Sequence, residues 1–241
     1  RYARTKGVNI DKKLCTDMAI AFLKVVKEAG YLPVIYTNRD YLKNYFDMNR
    51  IVRELGSVYV WYARYKSNIS AEEIEALPLR AFEGPITVVT SKDGDYAEAI
   101  DYLRNQSIIG FDTETRPCFS HGAPQNKMAL LQLSGKDKAY LFRLHHIGLP
   151  KEICKIFNDP KIIKVGAAVS DDIRGLNKYT KFSPKSFVDL QQIVKDYGIN
   201  DKSVRKMAGI ILGIKVSKAQ QLSNWEAAQL SGAQLKYAAT D

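Results

Sequence analysis

Ile108-Ile109-Gly110-Phe111-Asp112-Thr113-Glu114-Thr115 is the stretch on which the fold turns: an apolar run that ends in two carboxylates one residue apart. Alternate side chains of a strand share a face, so Asp112 and Glu114 point the same way and load two negative charges onto one patch. That is costly unless a cation sits between them. Taken alone, Asp-x-Glu is more often a strand end running into a polar turn. Two later stretches weigh against that plainer reading. Asp171-Asp172 follows a second apolar run over residues 162–169, and the sequence closes on Tyr237-Ala238-Ala239-Thr240-Asp241, a phenol and a carboxylate one helical turn apart.

Around this strand the pattern alternates. Residues 86–89 read as a strand and 95–105 as a helix with Ala99, Ile100 and Leu103 inward. After the acidic strand, a loop through Pro117, Gly122 and Pro124 leads to a strand over 128–133, a turn at Ser134-Gly135 and a strand over 138–142, an antiparallel meander. A helix around 150–157, the strand over 162–169 and a helix opening at Asp171-Asp172 follow, and from 186 onward the pattern is mainly helical. The expectation is an α/β fold, a mixed sheet flanked by helices. Asp112, Glu114, Asp172 and Asp241 then come from three separated elements. Carboxylates so placed suit two divalent ions about 3.5–4 Å apart, with hard Mg²⁺ or Mn²⁺ preferred by oxygen ligands. Tyr237 shares a helical face with Asp241, where its hydroxyl can orient a water.

Phe111-Asp112-Thr113-Glu114-Thr115, Lys164-Val165-Gly166 through Asp172, and Tyr237 through Asp241 resemble the three exonuclease motifs of the DnaQ-like superfamily, in its tyrosine-bearing branch with ribonuclease D and the Werner-type exonuclease domains. Leu222-Ser223-Asn224-Trp225-Glu226 and the helix after it resemble bacterial stand-alone members of that branch. The resemblance covers residues 67–241. It implies a ribonuclease-H-like fold, two-metal hydrolysis, DNA or RNA 3′ ends as partners, and release of nucleoside monophosphates. It also selects Asp172 over Asp171, which is left as a helix N-cap.

Supporting residues carry two readings each. Lys202, Arg205, Lys206, Lys215 and Lys218 either follow a phosphate backbone or form a solvated helix face. Gln132, beside the acidic strand, either touches the terminal nucleotide, as Thr113 is also expected to do, or is exposed strand polarity. Trp225 is read as core before base stacking. His121, His145 and His146 lack metal spacing and read as surface or loop residues, and Cys118 lacks a base partner.

Upstream, residues 11–29 form an amphipathic helix stopped by Gly30. Strands over 32–37 and 58–65 flank a helix capped by Asn38, which makes parallel βα units. Ala29-Gly30-Tyr31, Ile35-Tyr36-Thr37-Asn38, Tyr41-Leu42-Lys43-Asn44-Tyr45 and Trp61-Tyr62-Ala63-Arg64-Tyr65 resemble the second half of family-25 glycoside hydrolases, muramidases with an irregular βα barrel. The resemblance implies that residues 1–66 are a partial βα-barrel fragment without that family's acidic pair. Tyr36, Trp61, Tyr62 and Tyr65 are read as core rather than as a sugar cleft. Ser70 and Glu73 form a capping box opening a helix over 71–76, ended by Pro78.

Composition narrows the rest. The net charge is +10, but residues 1–66 contribute +7 of it, so global charge is weak evidence for nucleic acid. Three scattered cysteines argue against disulfides and zinc and for a reducing, cytoplasmic setting. No apolar stretch reaches membrane-spanning length. Because Asp241 is the last residue, the domain is read as C-terminally truncated, with a frayed final turn, weak metal binding and low activity. The competing readings are a muramidase fragment with a passenger nuclease and a non-catalytic nucleic-acid-binding module.

Overall fold

The computed structural model describes residues 10–63, 65–119 and 126–241; the expectations for His121, Gly122, Pro124 and the Tyr62 side chain fall outside them. The chain splits into two compact units, Arg1–Tyr65 and Lys66–Asp241. No described helix is long and apolar enough to cross a membrane. Cys15 and Cys154 are free thiols.

In the first unit, α1 (Lys12–Glu28) starts at Asp11, whose carboxylate accepts from Leu14 N at 2.7 Å. β1 (Val34–Asn38) pairs in parallel with β2 (Tyr59–Ala63), with α2 (Arg39–Tyr45) and α3 (Met48–Leu55) between them. Asn38 caps α2 by accepting from Tyr41 N at 2.9 Å, because a short side-chain acceptor satisfies an amide that the first helical turn leaves open. Ile20 and Leu23 of α1, Ile35 of β1, and Ile51 and Leu55 of α3 make the core. Those helices pack on the Ile35 face, so strand alternation turns Tyr36 outward. The core reading fails for Tyr36 and Trp61, which are 64% and 69% exposed and meet edge-on at 5.4 Å.

The second unit begins with α4 (Ala71–Glu75) and the expected Ser70/Glu73 capping box. Its sheet has the order β3-β6-β5-β4-β7-β8, built from β3 (Ile86–Val89), β4 (Ile108–Thr115), β5 (Met128–Ser134), β6 (Ala139–Arg143), β7 (Ile163–Gly166) and β8 (Phe187–Asp189). β4, β5 and β6 form the antiparallel meander, while β3 runs parallel to β6, β7 to β4 and β8 to β7. Six helices accompany the first part of the sheet and its far edge: α5 (Gly94–Arg104), α6 (Leu144–Ile147), α7 (Lys151–Asn158), α8 (Val169–Leu176), α9 (Leu190–Asp196) and α10 (Val204–Leu212). α11 (Gly232–Thr240) follows after a run of turns. Ile109, Phe111, Leu131 and Leu133 pack on α5, α7 and α8, whereas Leu130 and Leu141 on the opposite face meet Trp225, Tyr237 and Ala238. Trp225 is fully buried, as the core reading required.

Three boundaries differ from expectation. β7 stops at Gly166 because Ala168 takes a left-handed conformation (φ 58°) that turns the chain into α8. Gly166 is required there: a Cβ would lie 2.3 Å from the Phe111 carbonyl oxygen. Since α8 opens at Val169 behind Ala168, Asp171 is no N-cap; it sits in the first turn, exposed and ion-paired with Arg174. Finally, Phe187–Asp189 is a strand inside the region read as helical, since three residues are too few to show a period.

Candidate active site

Alternation along β4 buries Ile109 and Phe111 on one side and sends Asp112 and Glu114 to the side covered by α11. A capping box of Ser231 and Gln234 fixes the start of α11, and Tyr237 packs against Trp225 with ring centroids 5.9 Å apart. Asp241 N donates to Tyr237 O at 3.1 Å. Thr240 Oγ1 accepts from Phe82 N at 2.9 Å and donates to Lys236 O at 2.6 Å. The turn that carries Asp241 is therefore tied down and does not fray as expected. Carboxylate oxygens of Asp112, Glu114 and Asp241 all lie within 4.8 Å of one another. Asp172 stands beside this trio without joining it: its Oδ1 accepts from Thr113 Oγ1 at 2.5 Å, and Thr113 N donates to Asp112 Oδ1 at 2.8 Å.

The electrostatics follow from crowding four acids in a place with little water. Burial first, then the charges of Asp241 and Asp172, pushes Asp112 up to about 8, against the pull of the Thr113 amide. Glu114 is pushed up to about 9 by burial, then by Asp112 and Asp241. Asp172 rises to about 6 through burial, restrained by the Thr113 hydroxyl. Asp241 is exposed as a residue, yet its carboxyl group is turned into the cluster, where burial raises it against the Tyr237 hydroxyl and Lys218. The Tyr237 phenol is raised far above its ordinary value by burial and by Asp241 and Glu114, so it stays protonated and acts as a donor. An all-oxygen trio at this spacing, offset only by Lys218 acting on Asp241, fits a hard divalent cation such as Mg²⁺ or Mn²⁺.

The supporting residues divide. Gln132 faces Asp112 across the β4–β5 ladder and is buried (5% exposed), which rules out exposed strand polarity. Its amide makes no hydrogen bond of ordinary geometry, although it lies close enough to Glu114 to hold that carboxyl down slightly. Arg205 pairs with Glu75, Lys215 with Glu75 at 2.9 Å and Lys206 with Asp201 at 2.7 Å. Three of the five basic residues are thus engaged within the protein, which favours the solvated-face reading. Lys202 is exposed, and Lys218 acts on Asp241. His145 and His146 are exposed, on α6 rather than in a loop.

Sequence reasoning missed a groove of about 850 Å³ that opens beside Glu114 and Asp172 and is lined by Arg116, Lys127, Lys178, Tyr179 and Leu222 among others. The only signal for it was cations close behind the acidic motifs, in Arg116 and Lys178.

A mixed sheet whose central strand delivers two acids to a third on a covering helix defines a class of site, that of the metal-dependent nucleases. Residues 87–241 match the sequence model of a family described as 3′-5′ exonuclease. The exonuclease mut-7 homolog of Aedes aegypti is 31% identical over 188 residues, 68% of this chain and 26% of that protein. The crystal structure of the Aedes aegypti Nibbler EXO domain superposes with a TM-score of 0.57 at 28% identity, covering 68% of this chain and 85% of that one. Escherichia coli RNase D, at 23% identity and a TM-score of 0.56, covers 64% of this chain and 40% of its own and shows the same fold. This chain belongs to the 3′-5′ exonuclease family. It spans about a quarter of the length of some of the curated relatives it matches and no more than 57% of the others. The family match lies inside the second unit, and the glycoside-hydrolase resemblance of residues 1–66 gains no support from these relatives.

Proposed function

We propose that the chain is a metal-dependent 3′-5′ exonuclease that hydrolyses phosphodiester bonds at the 3′ end of DNA or RNA, with Asp112, Glu114, Asp172 and Asp241 holding two Mg²⁺ or Mn²⁺ ions. The approach of Asp112, Glu114 and Asp241 to within 4.8 Å of one another carries this reading. Bound there, the ions would supply Lewis acidity toward water and toward the phosphodiester. Tyr237, kept neutral by burial and then by its acidic neighbours, directs its hydroxyl at Asp241 in this structure and would orient the attacking water as a donor, not act as a base, once Asp241 holds an ion. In the groove, Lys127 and Lys178 give the strand cations at the mouth of the site, with Arg116 beside them held by Glu226 at 3.3 Å, and Tyr179 and Leu222 give bases a flat and an apolar surface. Gln132 and Thr113 stand beside Asp112, Gln132 across the ladder and Thr113 next to it in β4, while Lys202, Arg205 and Lys206 contribute at most general attraction.

The muramidase alternative lacks a converging pair of acids among the described side chains of the first unit: Asp11 and Asp47 cap helices, Asp17 and Glu54 pair with Arg50, and Glu28 lies exposed at the end of α1. A 5′-labelled single-stranded oligonucleotide, in matched DNA and RNA forms, tests the proposal. The expected result is a ladder shortening from the 3′ end with Mg²⁺ or Mn²⁺, abolished by chelator and by Asp112→Ala. No shortening of either strand would favour the binding-module reading, and activity surviving Asp112→Ala would remove the site.

A further inference from the structure

We infer that Thr113 is a positioning residue that holds Asp172 apart from the other three acids, so that one cation position depends on the Thr113 hydroxyl and the other does not. The inference rests on the metal-binding reading above. Thr113 lies between the two strand acids, so the alternation that sends Asp112 and Glu114 to the α11 side sends its side chain the other way, toward α8. There its hydroxyl donates to Asp172 Oδ1 at 2.5 Å, while its amide donates to Asp112 Oδ1 at 2.8 Å. One residue thereby bridges an acid of β4 and an acid of α8.

The consequence is a division of labour among the four carboxylates. Asp112, Glu114 and Asp241 converge on the α11 side, and none of the bonds among the described residues that place Tyr237 and Asp241, those of Thr240 and of the Tyr237 hydroxyl included, passes through the Thr113 hydroxyl. Asp172 has no comparable framework: it rides on the first turn of α8, after the left-handed Ala168, and the Thr113 hydroxyl fixes which way its carboxylate faces. A carboxylate offers two oxygens, and a hydroxyl bound to one restrains the other as a ligand. Strands also favour β-branched residues, so threonine supplies the hydroxyl without weakening β4.

Mn²⁺ titration followed by electron paramagnetic resonance of the free ion tests this, on the whole chain without substrate. Wild type is expected to take up two ions. Thr113→Val, which keeps shape and strand propensity, is expected to bind the first ion unchanged and the second about ten- to a hundredfold more weakly, with Thr113→Ser restoring it. Thermal melts of both variants without metal confirm folding. Two ions bound by Thr113→Val with wild-type affinities, equal loss of both ions, or failure of serine to rescue would each overturn the inference while leaving the nuclease reading in place. A wild type that binds no Mn²⁺ would end both.

Discussion

The first unit and the end of β4 in the second use their acids in opposite ways. In the first, Asp11 and Asp47 are spent on helix amides and Asp17 and Glu54 on Arg50, so each of these four charges has a partner within the fold. At the end of β4 in the second, Asp112, Glu114 and Asp241 are brought together with only Lys218 acting on Asp241 among the described residues; burial raises all three, and repulsion from neighbouring acids adds to it at Asp112 and Glu114. Partnered acids stabilise a fold, whereas crowded and unpartnered ones oppose it. A fold that carries such a cost at one strand end suits a ligand of opposite charge, and on the proposed function this difference separates acids that cap and pair from acids that hold cations.

The contrast can be broken by substitution. Asp112→Ala is expected to lower the rate of 3′-end hydrolysis by about a thousandfold or more, measured by oligonucleotide laddering, if Asp112 is the cation ligand proposed above. Yet Asp112→Asn is expected to raise the melting temperature of the metal-free protein at pH 9, because it deletes one of the crowded charges. Tyr237→Phe is expected to slow hydrolysis by about a hundredfold at saturating Mn²⁺ while leaving Mn²⁺ affinity within about twofold.

The raised acids also fix the direction of the pH dependence. In the folded chain Asp112 and Glu114 keep their protons up to about 8 and about 9, whereas the unfolded chain releases them near pH 4. Metal-free stability from these groups is therefore complete below about pH 4 and is lost as pH rises through 8 and 9. Melting curves from pH 5 to 9 should show that fall, and Mg²⁺ or Mn²⁺ should reverse it.

Much of this was legible in the sequence, because some signals are local. The Asp-x-Glu strand, the Asn38 cap and the Ser70/Glu73 capping box each depend on residues within four positions, and the structure has all three. What escaped depends on distance. The pairing of Arg205 and Lys215 with Glu75 joins residues 130 and 140 positions apart, so the cationic run looked free. Burial of Gln132 depends on α11 closing over β5, and exposure of Tyr36 and Trp61 depends on which face of β1 the helices choose. The Thr113–Asp172 bond joins residues 59 apart through a turn at Ala168 that residue type does not announce.

Smaller effects sharpen the same contrast between engaged and unengaged charges. Lys178→Ala, in the groove, is expected to reduce the salt slope of oligonucleotide binding by about one, while Arg205→Ala, whose guanidinium is held by Glu75, leaves it unchanged. In the first unit, Asp47→Ala is expected to cost about 1 kcal/mol in denaturant unfolding through the lost cap on α3, with no change in nuclease rate.

Calorimetric titration of Mn²⁺ into the protein at pH 7, in buffers of different ionisation enthalpy, tests the central claim most directly. Acids that hold protons until a cation replaces them should release protons as Mn²⁺ binds, and both the binding and the release should collapse in Asp112→Asn. Mn²⁺ binding without proton release, or binding unchanged in Asp112→Asn, would contradict the account.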